Sequence, residues 1–258
     1  MSWEQPTASF SELLQLRDSS QQLPTEIPGY ALYQSQEFRW LATAGDSIQS
    51  VMDRRDPSAL VLANQRAMGE IAVQLAPAAT HCLDLGTGGG AFLRFLTRRL
   101  PQAILCSVEL NSALVTLVRR YFAIPEQQAI HVGDATDYLK ANKTHFDLIL
   151  VDLFVDDRMP ESVQADGFFR LLSTGLSDDG IVAMNTLPHS SQEMLDHLRA
   201  AMLVFPYLAT LQFAELGNVL IFMSHEPLPS SDALAKLIQP QLAEAESASD
   251  LLASWKLL

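Results

Sequence analysis

The 258-residue chain has little of several things, and each shortage removes a class of function. It holds two cysteines, Cys82 and Cys106, too few for a disulfide framework. Both fall inside apolar strand patterns, so they read as buried, reduced thiols of a cytoplasmic protein. The six histidines are scattered, and none pairs with a cysteine at ligand spacing, so no metal site is expected. Lysine and arginine total 17 against 30 acidic residues, a formal charge of −13. No basic stripe could neutralise phosphates, which argues against a nucleic-acid partner and favours a neutral or cationic small ligand. Long apolar runs are also missing. Ala200 to Ala214 is uncharged but is broken by Pro206 and falls short of the roughly 20 residues of a membrane span. Met1-Ser-Trp-Glu4 lacks the charged start and apolar core of a secretory signal, so a soluble protein without a membrane partner is expected.

Hydrophobic residues are plentiful, at 48% of the chain, enough for a sizeable core. The most informative stretch is His81-Cys-Leu-Asp-Leu-Gly-Thr-Gly-Gly-Gly-Ala91, an apolar run that ends in glycines and opens onto the helical pattern Phe92 to Leu100. It reads as strand, turn and helix, with Gly86, Gly88 and Gly89 letting a ligand approach the backbone at a helix N-terminus. From there strands and helices alternate: Ala103–Glu109, Asn111–Phe122, Ala129–Gly133, Ala135–Lys140 and Phe146–Asp152. This alternation predicts an α/β fold, a doubly wound, mostly parallel sheet of seven strands. Its last strands, Tyr207–Phe213 and Asn218–Ser224, read as an antiparallel hairpin.

Upstream, Asp56-Pro57 reads as the start of a helix running to Leu75. Residues 30–52 show the alternation of two or three antiparallel strands, a small N-terminal β appendage. The expected organisation is an N-terminal leader and appendage over 1–56, a nucleoside-binding domain over 57–228, and a C-terminal linker and helix over 229–258. Phe38, Trp40 and Ile48 in the appendage offer either core or a homodimer contact. His131 reads as a packed histidine, and His189, just past the fifth strand, as a residue able to face the pocket.

Ligands of such sheets bind beyond the carboxyl ends of the strands, and four acids fall there: Asp84, Glu109, Asp134 and Asp152. Glu109 lies 23 residues after Gly86, near the spacing at which an acid meets ribose hydroxyls. Asp84 and Asp134 have helix or turn capping as their rival role. An acid two residues before the glycines suits a cationic group better than a pyrophosphate.

Asp-Leu-Gly-Thr-Gly-Gly-Gly90, Val108-Glu-Leu110, His131-Val-Gly-Asp-Ala135 and Phe146-Asp-Leu-Ile-Leu-Val-Asp152 resemble the AdoMet-dependent transferase fold, and more narrowly the spermidine synthase family. The resemblance runs from Tyr30 to Ser224. It implies that Glu109 holds the ribose, Asp134 and Ala135 meet the adenine, Gln49 lies near the thioether, and Asp152 takes a proton from the attacking amine. The loop after Asp152, with Met159 and Pro160, is expected to act as a lid. Departures accompany the matches. Gly89 stands where the family has an amine-gripping acid, Val155 where it has a second acid, with Asp156 and Asp157 following as substitutes, and Asn64 replaces a tyrosine before Gln65. Ala214-Glu-Leu-Gly217 stands where a Tyr-Pro-Ser-Gly segment would be.

The expected function is therefore transfer of an alkyl group from S-adenosylmethionine or its decarboxylated form to a small acceptor, such as an amine. Methyl transfer is favoured by Asp84 and Gly89. The alternatives are a polyamine aminopropyltransferase and a catalytically silent nucleoside-binding or partner protein.

Overall fold

The computed structural model describes residues 8–43, 47–154, 159–160, 163, 166–213, 217–242 and 254–258. Strands β5 (His81–Leu85), β6 (Ile104–Glu109), β7 (Ala129–Val132), β8 (Phe146–Val151), β9 (Leu176–Thr186), β10 (Tyr207–Gln212), β11 (Val219–Ser224) and β12 (Lys256–Leu257) form one sheet. Its order is β12-β10-β11-β9-β8-β5-β6-β7. The five strands from β9 to β7 are parallel, and β11 and β10 close the sheet antiparallel. The sheet thus has eight strands among the described residues rather than the expected seven. The added β12 is a two-residue edge strand, too short to announce itself by alternation.

The chain runs outward from β5 through β6 to β7 and then returns to β8 on the other side of β5. Neighbouring strands β5 and β8 therefore send their connections in opposite directions, which opens a crevice at their carboxyl ends. Side chains alternate to build the two faces. Cys82, Leu148 and Leu150 pack under helices α2 (Ala63–Leu75), α3 (Ala91–Arg99) and α4 (Ser112–Tyr121). Leu83, Leu85, Ile149 and Val151 pack under α5 (Ala135–Ala141), α6 (Asp166–Gly175) and α7 (Ser191–Met202). Both faces are apolar, so these strands read as continuous hydrophobic runs.

Strands β1 (Gln21–Leu23), β2 (Tyr30–Gln34), β3 (Phe38–Thr43) and β4 (Ile48–Asp53) make a separate antiparallel sheet; β2 to β4 are the three strands within the range expected to hold two or three, and β1 adds a fourth upstream of it. One face covers the main core with Leu32, Leu41 and Met52. The other is covered by α1 (Phe10–Leu16), whose Leu13 packs with Phe38, Trp40 and Ile48. These three strand residues are therefore core within their own chain, and the dimer contact considered for them is not available. The capping box of Ser9 and Glu12 explains why α1 forms despite its brevity.

Two boundaries move. Asp56 does not start a helix: its carboxylate accepts from the backbone N–H and hydroxyl of Ser58, and Ala59 to Leu62 are buried before α2 begins at Ala63. The C-terminal segment is no detached linker. Leu234 and Ile238 of α8 (Ser231–Leu242) and Trp255 belong to the main core. Among the described residues no helix is long and apolar enough to cross a membrane.

At the sheet edge away from the crevice, Asp147 accepts from Thr80 N and Oγ1, His81 N and Ser177 Oγ. Burial pushes its carboxyl up, but these bonds outweigh burial and hold it below the usual range. A depressed folded value gives stability that is present above the unfolded value, about pH 4, and lost as pH falls through the folded one. Asp147→Asn is expected to lower the melting temperature at pH 7, with the deficit shrinking toward pH 3. A deficit that stays constant with pH would refute the linkage.

Candidate active site

The crevice between the two sheets is a cleft of about 640 Å³. Its floor is the turn after β5, where Gly86 has φ +96° and Gly88 φ +48°. Gly86 N and Thr87 N donate to Val108 O, tying the turn to β6. Arg94 holds it from behind: its buried guanidinium donates to the carbonyls of Gly89, Phe122 and Pro57. Burial pushes this cation down to about 9, and no carboxylate offsets it.

One rim is Glu109. Its carboxylate accepts from Gly88 N at 3.0 Å and Asn111 N at 2.9 Å, which orients it over the glycines. Burial raises its pKa in spite of these bonds. Asp134 and Ala135 line the same end. Asp134 caps α5, accepting from Thr136 N and Asp137 N, so the capping role and a place on the cleft wall coexist. Gln49 lines the wall contributed by the small sheet, with Tyr30, Leu41 and Ile48, and α1 adds Phe10.

Asp152 stands opposite, half-buried just past β8, with its N–H donating to Leu85 O. Both its oxygens are held by neutral amides: Gln65 Nε2 donates to Oδ2 at 3.1 Å and Asn185 Nδ2 to Oδ1 at 2.9 Å. Asn218 Nδ2 in turn donates to Asn185 Oδ1 at 3.0 Å. Burial raises the Asp152 pKa, and the two amides lower it by less. A carboxylate with a raised pKa and no cationic partner among the described residues can accept a proton from a ligand. Beside it, Asn64 Oδ1 and Gln65 Oε1 are buried without hydrogen-bond partners, and both residues line the cleft. Such acceptors await donors.

Two candidates fall elsewhere. Asp84 is 1% exposed and does not line the cleft; it lies behind the turn with Ser107 Oγ donating to it. Gly89 is also outside the lining. A Cβ there would sit 2.4 Å from Ser50 Cβ, and its N–H donates to Ser50 Oγ at 2.6 Å, so Ser50 occupies the space a side chain would need. Asp156 and Asp157 lie outside the described residues. Of the lid segment, Met159 and Val163 are buried, and Pro160 and Val163 line the cleft. The exposed His189 does not line it, and His131, exposed on edge strand β7, packs its ring against Tyr138 with centroids 5.1 Å apart.

Sequence reading missed Ser50, Asn185 and Asn218. Asn185 lies near the carboxyl end of a parallel strand and was open to the rule that found Asp152. Ser50 lies in antiparallel strand β4 and Asn218 just before antiparallel strand β11, which only folding brings to the crevice.

The cleft thus sets the glycine floor between the carboxylates of Glu109 and Asp152. The spermine/spermidine synthase domain matches residues 62–231. The chain belongs to the spermine/spermidine synthase family. A polyamine aminopropyltransferase of Chromobacterium violaceum is 32% identical over 163 residues, 62% of this chain and 62% of that protein, so the match spans under two thirds of that relative. A crystal structure of a probable spermidine synthase from Corynebacterium glutamicum superimposes with TM-score 0.78 at 21% identity, covering 92% of this chain and 90% of that one. Human methyltransferase-like protein 13, solved with SAH, shares the fold at TM-score 0.61 and 18% identity over 71% of this chain and 93% of that one. This family member therefore has the α/β methyltransferase-like fold.

Proposed function

We propose that the protein transfers the aminopropyl group of decarboxylated S-adenosylmethionine to a small amine. The observation that carries this is Asp152, held by two neutral amides at the crevice, within the same cleft as Glu109 and the glycine floor. Glu109 takes the ribose hydroxyls, Asp134 and Ala135 border the adenine, and Gln49 lies on the wall beside the thioether. Asp152 orients the acceptor amine. As the nitrogen lone pair attacks the carbon next to sulfur, the carbon–sulfur bond breaks toward sulfur and the amine proton passes to Asp152. Holding the two reactants in line supplies much of the remaining acceleration. The relative's description as a polyamine aminopropyltransferase favours this reading over methyl transfer.

Methyl transfer loses its first support, because Asp84 does not line the cleft. It keeps the second: Ser50 excludes a gripping acid at position 89. Incubation with putrescine and each donor, read by mass spectrometry, separates the readings. Methylthioadenosine with an aminopropylated amine supports the proposal. S-adenosylhomocysteine from intact AdoMet supports the methyl reading, and nucleoside binding without turnover of any amine supports a silent binding protein.

A further inference from the structure

Asp84 has no part in that scheme, yet it is a carboxyl group in the centre of the sheet. Its Oδ1 has no hydrogen-bond partner, and its Oδ2 accepts from Ser107 Oγ at 2.7 Å. Ser107, directly across on β6 and fully buried, has its Oγ 2.5 Å from Thr87 Oγ1. Thr87 lines the cleft. A hydroxyl has one proton to give. When Ser107 gives its proton to an ionised Asp84, its oxygen must accept from Thr87, which leaves the Thr87 oxygen free only to accept. When Asp84 is protonated the chain reverses: Asp84 donates to Ser107, Ser107 to Thr87, and Thr87 can donate toward the cleft. One proton on a buried carboxyl thus sets the polarity of a hydroxyl in the cleft floor.

We propose that Asp84 is a positioning residue that, through Ser107, switches Thr87 to an acceptor when a cationic ligand end settles over the glycine turn, releasing its proton to solvent. The inference rests on the reading of the cleft as a site for a nucleoside sulfonium donor. The surroundings favour such a switch. Burial first, and then the charges of Asp152 and Glu109, push the Asp84 carboxyl up to about 7, against the lowering effect of Ser107. On β8 its register partner is the neutral Leu150. On α3 the cation of Arg94 is engaged by carbonyls, on α2 Gln65 is neutral, and on β6 the Cys106 thiol is itself raised by burial. An arriving cation favours the ionised form, so the proton leaves.

The test is calorimetric binding at pH 7 in two buffers of unlike ionisation enthalpy, with decarboxylated S-adenosylmethionine and with neutral methylthioadenosine. The wild type is expected to release roughly half a proton with the cationic ligand and none with the neutral one, since a group near pKa 7 is about half protonated at pH 7. Asp84→Asn should abolish the release, whereas Ser107→Ala should keep a release from Asp84 but weaken the cationic ligand relative to methylthioadenosine, because Thr87 is then uncoupled from the carboxyl; methylthioadenosine binding reports an intact nucleoside site in both. Binding of both nucleosides to the wild type without proton exchange, or equal release from Asp84→Asn, overturns the switch alone. Failure of the wild type to bind either nucleoside overturns the donor reading and the switch with it.

Discussion

Asp152→Asn is expected to lower kcat by about 10²- to 10⁴-fold, the range for a lost general base, while nucleoside affinity changes little. The substitution is well suited to separating chemistry from folding. An asparagine at 152 would turn one amide donor toward Gln65 Nε2 or Asn185 Nδ2, both of which donate to the native carboxylate. Gln65 can rotate to present Oε1, which has no partner in the native arrangement. The cost to stability is thereby limited, and the loss falls on proton acceptance. In the proposed mechanism the base acts ionised, and burial places the Asp152 pKa above the ordinary carboxylate value. The acid limb of kcat/KM should therefore lie above about pH 4 and vanish in the variant, where residual activity depends on the free amine alone. Steady-state kinetics against pH, with calorimetry for the nucleoside, reads both. Retention of wild-type kcat in the folded variant would remove Asp152 from the mechanism.

Gly86→Ala is expected to have the largest effect on stability. At φ +96° an alanine is strained, and its Cβ would sit 2.2 Å from Asp152 O and 2.9 Å from Asp152 C. These are backbone atoms of the adjacent strand end, so no side-chain rotation relieves the overlap. Gly29→Ala is the internal comparison, since Gly29 has φ +78° but open space where a Cβ would go. Backbone strain alone should cost about 1 kcal/mol there. At Gly86 strain and displacement together should cost roughly 3 kcal/mol, about 6–12 °C in melting temperature. Because the displaced backbone is that of Asp152, the folded fraction should also lose turnover. Thermal melts of the two variants with specific activity at 15 °C provide the check; equal destabilisation by both would show that the contact between the two strand ends does not matter.

Much of the site was legible along the chain because it is built on local rules. Parallel strands place their carboxyl ends at one edge, so an acid there, as at Glu109 or Asp152, can be assigned to the crevice from position alone. Capping obeys equally local chemistry, which is why the cap at Asp134 was readable beside its place at a strand end. Asp84 misled for the opposite reason. Its position near the glycines is the same in sequence whether its side chain enters the cleft or turns behind the floor, and pairing with Ser107 on β6 decided the matter. The start of α2 was misread because Asp56 was free to hold a turn instead of a helix.

The sequence by itself determined the α/β alternation, the glycine turn, the acids at the strand ends and the family. The first three follow from periodicity and residue type within a few positions, and the family from the resemblance of its motifs. Tertiary structure alone decided that Ser50 of the small sheet fills the space at Gly89, that Asn185 and Asn218 flank Asp152, and that Thr87, Ser107 and Asp84 form one hydrogen-bonded chain. Those relationships join residues from different strands and the turns beside them, across gaps of 20 to 39 positions. Strand register and sheet packing set them, and neither is written in the local pattern of any one segment.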